Sequence, residues 1–156
     1  MDIVFLKKLQ DNPIKYGFTK NSPIISISAQ EITQLEQLYN AGNPFPKALK
    51  ELLYLAGKRC YVLDYGLNET QQELQEFVRT NLDEDEKVIN RPFFAIDVYN
   101  AGDQFLFVYL DAEDDPAVYE GYYWDESSNW IKLINPYLSS YIDGLIERVK
   151  AGQNPF

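Results

Sequence analysis

Apolar residues along this chain change period twice. Up to about residue 82 they recur at three- and four-residue spacing, from Pro92 to Leu133 they alternate with polar ones, and from Pro136 the helical spacing returns. The first stretch predicts an opening amphipathic helix carrying Ile3, Leu6 and Leu9, set apart from the body by a turn-rich region at residues 12–23. Ser28 with Glu31 three residues on forms a capping-box pattern, and Ile32, Leu35, Leu38 and Tyr39 follow until Asn40-Ala41-Gly42 stops the helix. Pro46 opens the next, where its missing N–H is harmless, with Leu49, Leu52, Leu53 and Ala56 on one face and Gly57 as a left-handed cap. Residues 60–64 read as a strand, and Asn68 caps a helix carrying Leu74, Phe77, Val78 and Leu82. Asp83, Glu84, Asp85 and Glu86 are expected beyond that helix, because negative charge opposes the dipole at its C-terminal end.

The period of two predicts strands near residues 94–99, 104–110, 118–124 and 130–133. Their turns are short: Asn100-Ala101-Gly102-Asp103, Asp114-Asp115-Pro116, and Asp125 to Asn129. Such connections imply an antiparallel meander. Asn135-Pro136 then starts a last helix with Leu138, Tyr141, Ile142, Leu145 and Val149 as its stripe. The fold class expected is α+β: a mostly antiparallel sheet of about four to six strands, with N-terminal helices and a C-terminal helix packed on it. With no internal repeat or linker, residues 1–156 are expected to form one domain, and 46% hydrophobic residues suffice for its core.

Charge adds an address to this outline. Residues 81–130 hold thirteen acids against Lys87 and Arg91, a net of −11, while the whole chain nets −10 and everything else therefore sums to +1. A negative chain argues against nucleic acid and against anionic membrane surfaces, since both are bound through Lys and Arg. The single cysteine, Cys60, excludes an internal disulfide, and no apolar run approaches the length of a membrane span, so the protein reads as cytoplasmic.

Candidate chemistry narrows in the same way. Asp111, Glu113 and Asp115 alternate like the opening ligands of a calcium loop, but Pro116 stands where glycine is needed and Tyr122 where glutamate is. No dedicated metal site and no cofactor are expected. With no histidine in the chain, nucleophilic catalysis lacks its usual base, so no catalytic residue is assigned. A pair of carboxylates in a cleft could still hydrolyse a glycoside, which leaves a carboxylate-dependent hydrolase as a remote alternative. Tyr and Trp anchor protein interfaces, and Tyr119, Tyr122, Tyr123, Trp124 and Trp130 lie in or beside the acidic window. Alternation puts Tyr119 and Tyr123 on one sheet face and Tyr122 and Trp124 on the other. The partner-binding set expected is Asp83, Glu84, Asp85, Glu86, Asp103, Asp111, Glu113, Asp114, Asp115, Tyr119, Glu120, Tyr123, Trp124, Asp125 and Glu126.

Local motifs occur together in a recognisable order. Ile32-Thr33-Gln34-Leu35-Glu36, then Phe45-Pro46-Lys47-Ala48-Leu49-Lys50-Glu51-Leu52-Leu53 leading to Gly57, resembles the paired N-terminal helices of the SUKH superfamily. Ala95-Ile96-Asp97 and the run from Gly102-Asp103 to Asp111 resemble its hairpin, Ala117-Val118-Tyr119 its next strand, and residues 137–149 its final helix. The likeness spans about residues 27–149, leaving 1–26 as an N-terminal extension with a short helix; Lys58-Arg59 and Ala48-Leu49 depart from the usual motif. The resemblance implies a protein-binding domain of one of two kinds: a bacterial immunity protein that neutralises a toxin, often a nuclease, or a regulator of the Smi/Knr type acting in cell-wall synthesis. The expectation is a non-catalytic immunity-type inhibitor whose acidic, aromatic surface binds a basic toxin domain, with a cytoplasmic regulatory or scaffold protein as the alternative.

Overall fold

In the computed structural model, which describes residues 1–13 and 23–155, five helices surround a four-stranded antiparallel sheet of order β1-β2-β3-β4. Residues 14–22 of the expected turn-rich region lie outside the described residues. The helices are α1 (Lys7–Asp11), α2 (Ala29–Tyr39), α3 (Lys47–Ala56), α4 (Gln71–Glu84) and α5 (Leu138–Lys150), and the strands are β1 (Phe93–Tyr99), β2 (Gln104–Tyr109), β3 (Val118–Tyr122) and β4 (Ile131–Asn135). The α+β class and the meander thus form as the period change predicts. Among the described residues no helix is long and apolar enough to cross a membrane.

Strands β1 and β2 are buried on both faces. Phe94, Ile96, Leu106 and Val108 join the stripes of α1, α2, α3 and α5 in one core, whereas Phe93, Ala95, Val98, Phe105 and Phe107 join Leu74, Val78 and Leu82 of α4 in a second. The sheet is therefore a middle layer, with α4 alone on one side. A bulge between Ala95 and Asp97 resets the alternation in β1, which puts Ile96 in the first core and returns Val98 to the second.

The outer edge of β1 is closed by side chains. The Ala95 N–H donates to Gln75 Oε1 and Gln75 Nε2 donates to the Ala95 carbonyl, both at 2.8 Å, so one side-chain amide stands where a neighbouring peptide would. Arg79 Nη2 donates to the Phe93 carbonyl at 3.0 Å, its guanidinium held between the rings of Tyr39 and Phe93 at 4.5 and 4.3 Å. Further along, the Val98 N–H donates to the Asp64 carbonyl and the Asp64 N–H to Asp97 Oδ1.

Three local expectations are corrected. Residues 60–64 are not a strand: the chain bends at residues 61–63 and reaches β1 only at Asp64, whose carbonyl accepts from the Val98 N–H and whose N–H donates to the Asp97 carboxylate, while the apolar side chains serve the first core. Gly57 is not a left-handed cap, having φ −63°; glycine is required there because a Cβ would lie 2.8 Å from the Ile27 side chain. Helix α4 starts later and ends later than expected. Thr70 and Glu73 form a complete capping box, while Asn68 donates to the Tyr65 carbonyl, and Asp83 and Glu84 lie inside the last turn. Its end is fixed by Lys87 N–H donating to the Leu82 carbonyl and Glu86 N–H to that of Asp83, a Schellman closure with Glu86 at φ +53°.

Two stability measurements check these interactions. Gln75→Met keeps much of the volume but strands both Ala95 groups, each costing about 1–3 kcal/mol when buried and unpaired, so urea denaturation should show a loss of about 2–5 kcal/mol. A loss under about 1 kcal/mol would mean that packing rather than hydrogen bonding seats α4. Glu86→Gly relieves the left-handed strain and removes a negative charge past the helix end, and should stabilise by roughly 1 kcal/mol, or about 2–4 °C in melting temperature.

Candidate protein-interaction face

The face of the sheet under α4 is only partly covered. Helix α4 lies over β1 and the near part of β2, and beyond it an unbroken run of rings emerges from the core. Tyr123 stacks on Phe105 at 4.9 Å, Phe105 on Phe107 at 5.5 Å, and Phe107 on Tyr119 at 5.7 Å; Tyr109 meets Tyr119 edge-on at 4.9 Å. Gly121 makes this possible, since a Cβ there would fall 2.5 Å from the Phe105 ring. Tyr109 and Tyr119 are half-buried at the end of the ladder, and Leu133, paired across from Tyr119, is 58% exposed. Rings fixed by stacking lose little freedom on binding, which suits them as anchors.

Charged groups border this face. The Arg91 guanidinium lies 3.8 Å above the Tyr109 ring and donates to both carboxyl oxygens of Asp111, at 2.6 to 3.1 Å. That hydrogen bonding holds the Asp111 carboxyl below its usual range. At the other end Lys87 donates to the Asp125 carbonyl at 2.6 Å and lies 5.6 Å over Trp130, which ties the end of α4 to the β3–β4 loop.

The expected acids do not form one patch. Asp103 and the loop bearing Asp125 and Glu126 sit at the hairpin-tip end of the sheet, where the α4 terminus brings Asp83, Glu84, Asp85 and Glu86 alongside. Asp111, Glu113, Asp114 and Asp115 belong to the β2–β3 connection at the opposite end, roughly 25 Å away at about 3.4 Å per strand residue. Several have structural work. Asp115 accepts from the Ser139 N–H and hydroxyl at the start of α5, the Asp114 carbonyl accepts from the Ala48 N–H at 2.8 Å, and Asp125 accepts from the Ser127 N–H.

The aromatics sort as alternation predicts. Tyr119 and Tyr123 lie on the α4 side, and Tyr122 and Trp124 meet at 5.6 Å on the other. Tyr123 is nevertheless a core residue, 4% exposed, because the end of α4 covers it; it is withdrawn from the partner-binding set. Glu120 faces the α5 side, half-buried, where it accepts from the Tyr99 hydroxyl. Trp124 remains 63% exposed. Sequence reading missed Tyr109, Arg91, Leu133 and Ile131 as members of the face; the strand register supplies them, and period alone does not show which rows a helix covers.

Carboxyls with raised affinity for protons lie elsewhere. Burial pushes Asp97 up to about 8, with the Asp64 N–H opposing that shift, and burial also raises the Asp143 carboxyl. Asp97 is 3% exposed beside the 480 Å³ hollow lined by Asp64, Leu67, Phe77 and Tyr99, although it does not itself line it. An acid whose folded pKa is raised stabilises the fold below its unfolded value near 3.8, and that contribution is lost as pH rises through about 8. Asp97→Asn, which can still accept from Asp64, should leave the melting temperature at pH 4 nearly unchanged and raise it at pH 9 by about 5 °C or more. Equal melting curves at pH 9 would show that the carboxylate is solvated in place.

No protein-family model, curated protein or solved structure matches this chain.

Proposed function

We propose that this chain is a non-catalytic protein-binding domain of the SUKH kind, an immunity-type inhibitor that seats a basic toxin domain on the α4-side face of its sheet. The observation that carries this reading is the stacked ladder from Phe105 to Tyr119, which leads from the core to a half-exposed surface with acids at both ends. Such a surface divides the labour of binding. Tyr109, Tyr119 and Leu133 supply apolar anchors that govern residence time, while Asp125, Glu126, Glu113 and the acids at 83–86 steer a positive partner toward association rates of about 10⁸ M⁻¹s⁻¹ at low salt. A nuclease site must be positive to hold phosphates, so it presents the complementary charge. The order of helix pair, hairpin, strand and final helix is the arrangement the resemblance implies.

A second reading, a cytoplasmic regulatory or scaffold protein, is favoured by the division of the acids between two ends and by the structural employment of Asp111, Asp115 and Glu120. Co-expression with the product of the neighbouring reading frame separates the two. The inhibitor reading expects that product to arrest growth alone and to be silenced by this chain. It also expects Tyr119→Ala to weaken the complex by about 2 kcal/mol, roughly 30-fold, chiefly through faster dissociation. Asp125→Asn with Glu126→Gln should instead slow association and flatten its salt dependence. A harmless neighbour, or binding indifferent to both Tyr119→Ala and salt, would favour the regulator.

A further inference from the structure

The two edges of the sheet are treated differently. Gln75, Arg79 and Asp64 close the outer edge of β1 with hydrogen bonds of 2.8 to 3.0 Å, whereas among the described residues nothing pairs with the outer edge of β4. The Tyr122 N–H donates to the Trp130 carbonyl, so Trp130 and Lys132 turn their backbone groups toward β3. By the alternation of an antiparallel ladder, the N–H and C=O of Ile131 and Leu133 point outward. The edge carries no proline between Ile131 and Asn135, and its one charge, Lys132, lies on the far face, 5.3 Å from the Tyr122 ring. Exposed apolar side chains border it: Leu133 at 58%, Ile134 at 41%, Tyr137 at 54% and Trp124 at 63%.

From this geometry we infer that β4 accepts an added strand from a partner protein, an extended segment with alternating apolar residues and Lys or Arg at its ends. This deepens the protein-binding reading above and rests on it. Backbone groups of Ile131 and Leu133 supply the hydrogen bonds, and Leu133, beside Tyr119, supplies an apolar contact continuous with the aromatic face. The extra residue Ile134, opposite the Val118/Tyr119 step, ends the regular edge, so the added strand is short.

Charge selects the occupant. Asp125 and Glu126 precede β4, and Asp114 and Asp115 lie by its other end, where Asn135 pairs with Val118 and Leu138 donates to the Pro116 carbonyl. An antiparallel second copy would bring one acidic end against the other between chains that each carry −10, whereas a segment with basic ends meets opposite charge at both.

The probe is a displayed peptide library of six random residues between Lys pairs, selected against the whole chain. Selected peptides should alternate apolar residues, bind with micromolar dissociation constants, and slow amide exchange at Ile131 and Leu133. Leu133→Pro removes an outward N–H without breaking a bond within the sheet and should weaken binding about tenfold or more. Leu133→Val keeps both the N–H and an apolar side chain and should weaken it by roughly threefold or less. Ile131→Pro gives the same reading should Leu133→Pro fail to fold by circular dichroism. Failure to enrich any peptide, protection confined to residues outside β4, or dimerisation abolished by Leu133→Pro overturns the inference. Loss of toxin binding in Tyr119→Ala together with full binding in Leu133→Pro would overturn it while leaving the protein-binding face intact.

Discussion

Strand β1 must satisfy its backbone without water, and the rest of the structure follows from how it does so. It is buried on both faces and lies at a sheet edge, so every outward N–H and C=O would be a buried orphan worth about 1–3 kcal/mol. Gln75 answers for Ala95, Arg79 for Phe93, and Asp64 for Val98. Because two of those groups lie one turn apart on α4, the first half of the helix is anchored at β1, while Lys87 ties its end to the β3–β4 loop. That course leaves Tyr109 and Tyr119 half-buried and Leu133 exposed on the same face. The uncovered aromatic surface is thus the other side of a hydrogen-bonding requirement at the opposite edge.

Buried carboxylates organise the first core in the same way. Glu51 is 0% exposed, yet its oxygens accept the N–H groups of Val4, Phe5 and Leu6 at 2.8 to 2.9 Å, with Lys47 3.6 Å away. These bonds turn the chain into α1 and set Ile3, Leu6 and Leu9 against α3 and α5. Glu36 does the corresponding task at the α2–α3 junction, accepting from the Phe45 N–H and lying 3.1 Å from Lys50. Charge is tolerated inside because several donors converge on each carboxylate.

These groups also mark where sequence reading stops. Capping at Ser28, the helical stripes, the Asn100 to Asp103 turn and the period of β2 were legible because each depends on residues close in the chain. Gln75, Glu51 and Glu36 look like ordinary solvent-facing helix residues; their partners lie 20, 45 to 47 and 9 residues away. Residues 60–64 have the composition of a strand but form a buried, bent segment that bonds to β1 only at Asp64, through contacts with Val98 and Asp97 that lie more than 30 residues away in the chain. For the candidate face, the acids and aromatic types were visible, but Tyr123 and Tyr119 could be separated into core and surface only once α4 was placed.

The acidic window then takes on a different meaning from a single negative patch. Strand β2 keeps Asp103 and Asp111 at opposite ends of the sheet, so no partner touches both clusters through one small contact. A partner long enough to span them must cross the intervening surface, which on the α4 side is Tyr119, Tyr109 and Leu133. Between charges that far apart and a Debye length of about 8 Å, each cluster acts nearly independently at physiological salt. Two separated negative ends define a direction rather than a point. On the protein-binding reading proposed above they would orient an elongated positive partner along the strands, and the orientation parallel to β4 is the one that would engage ring contacts, backbone edge and charge together.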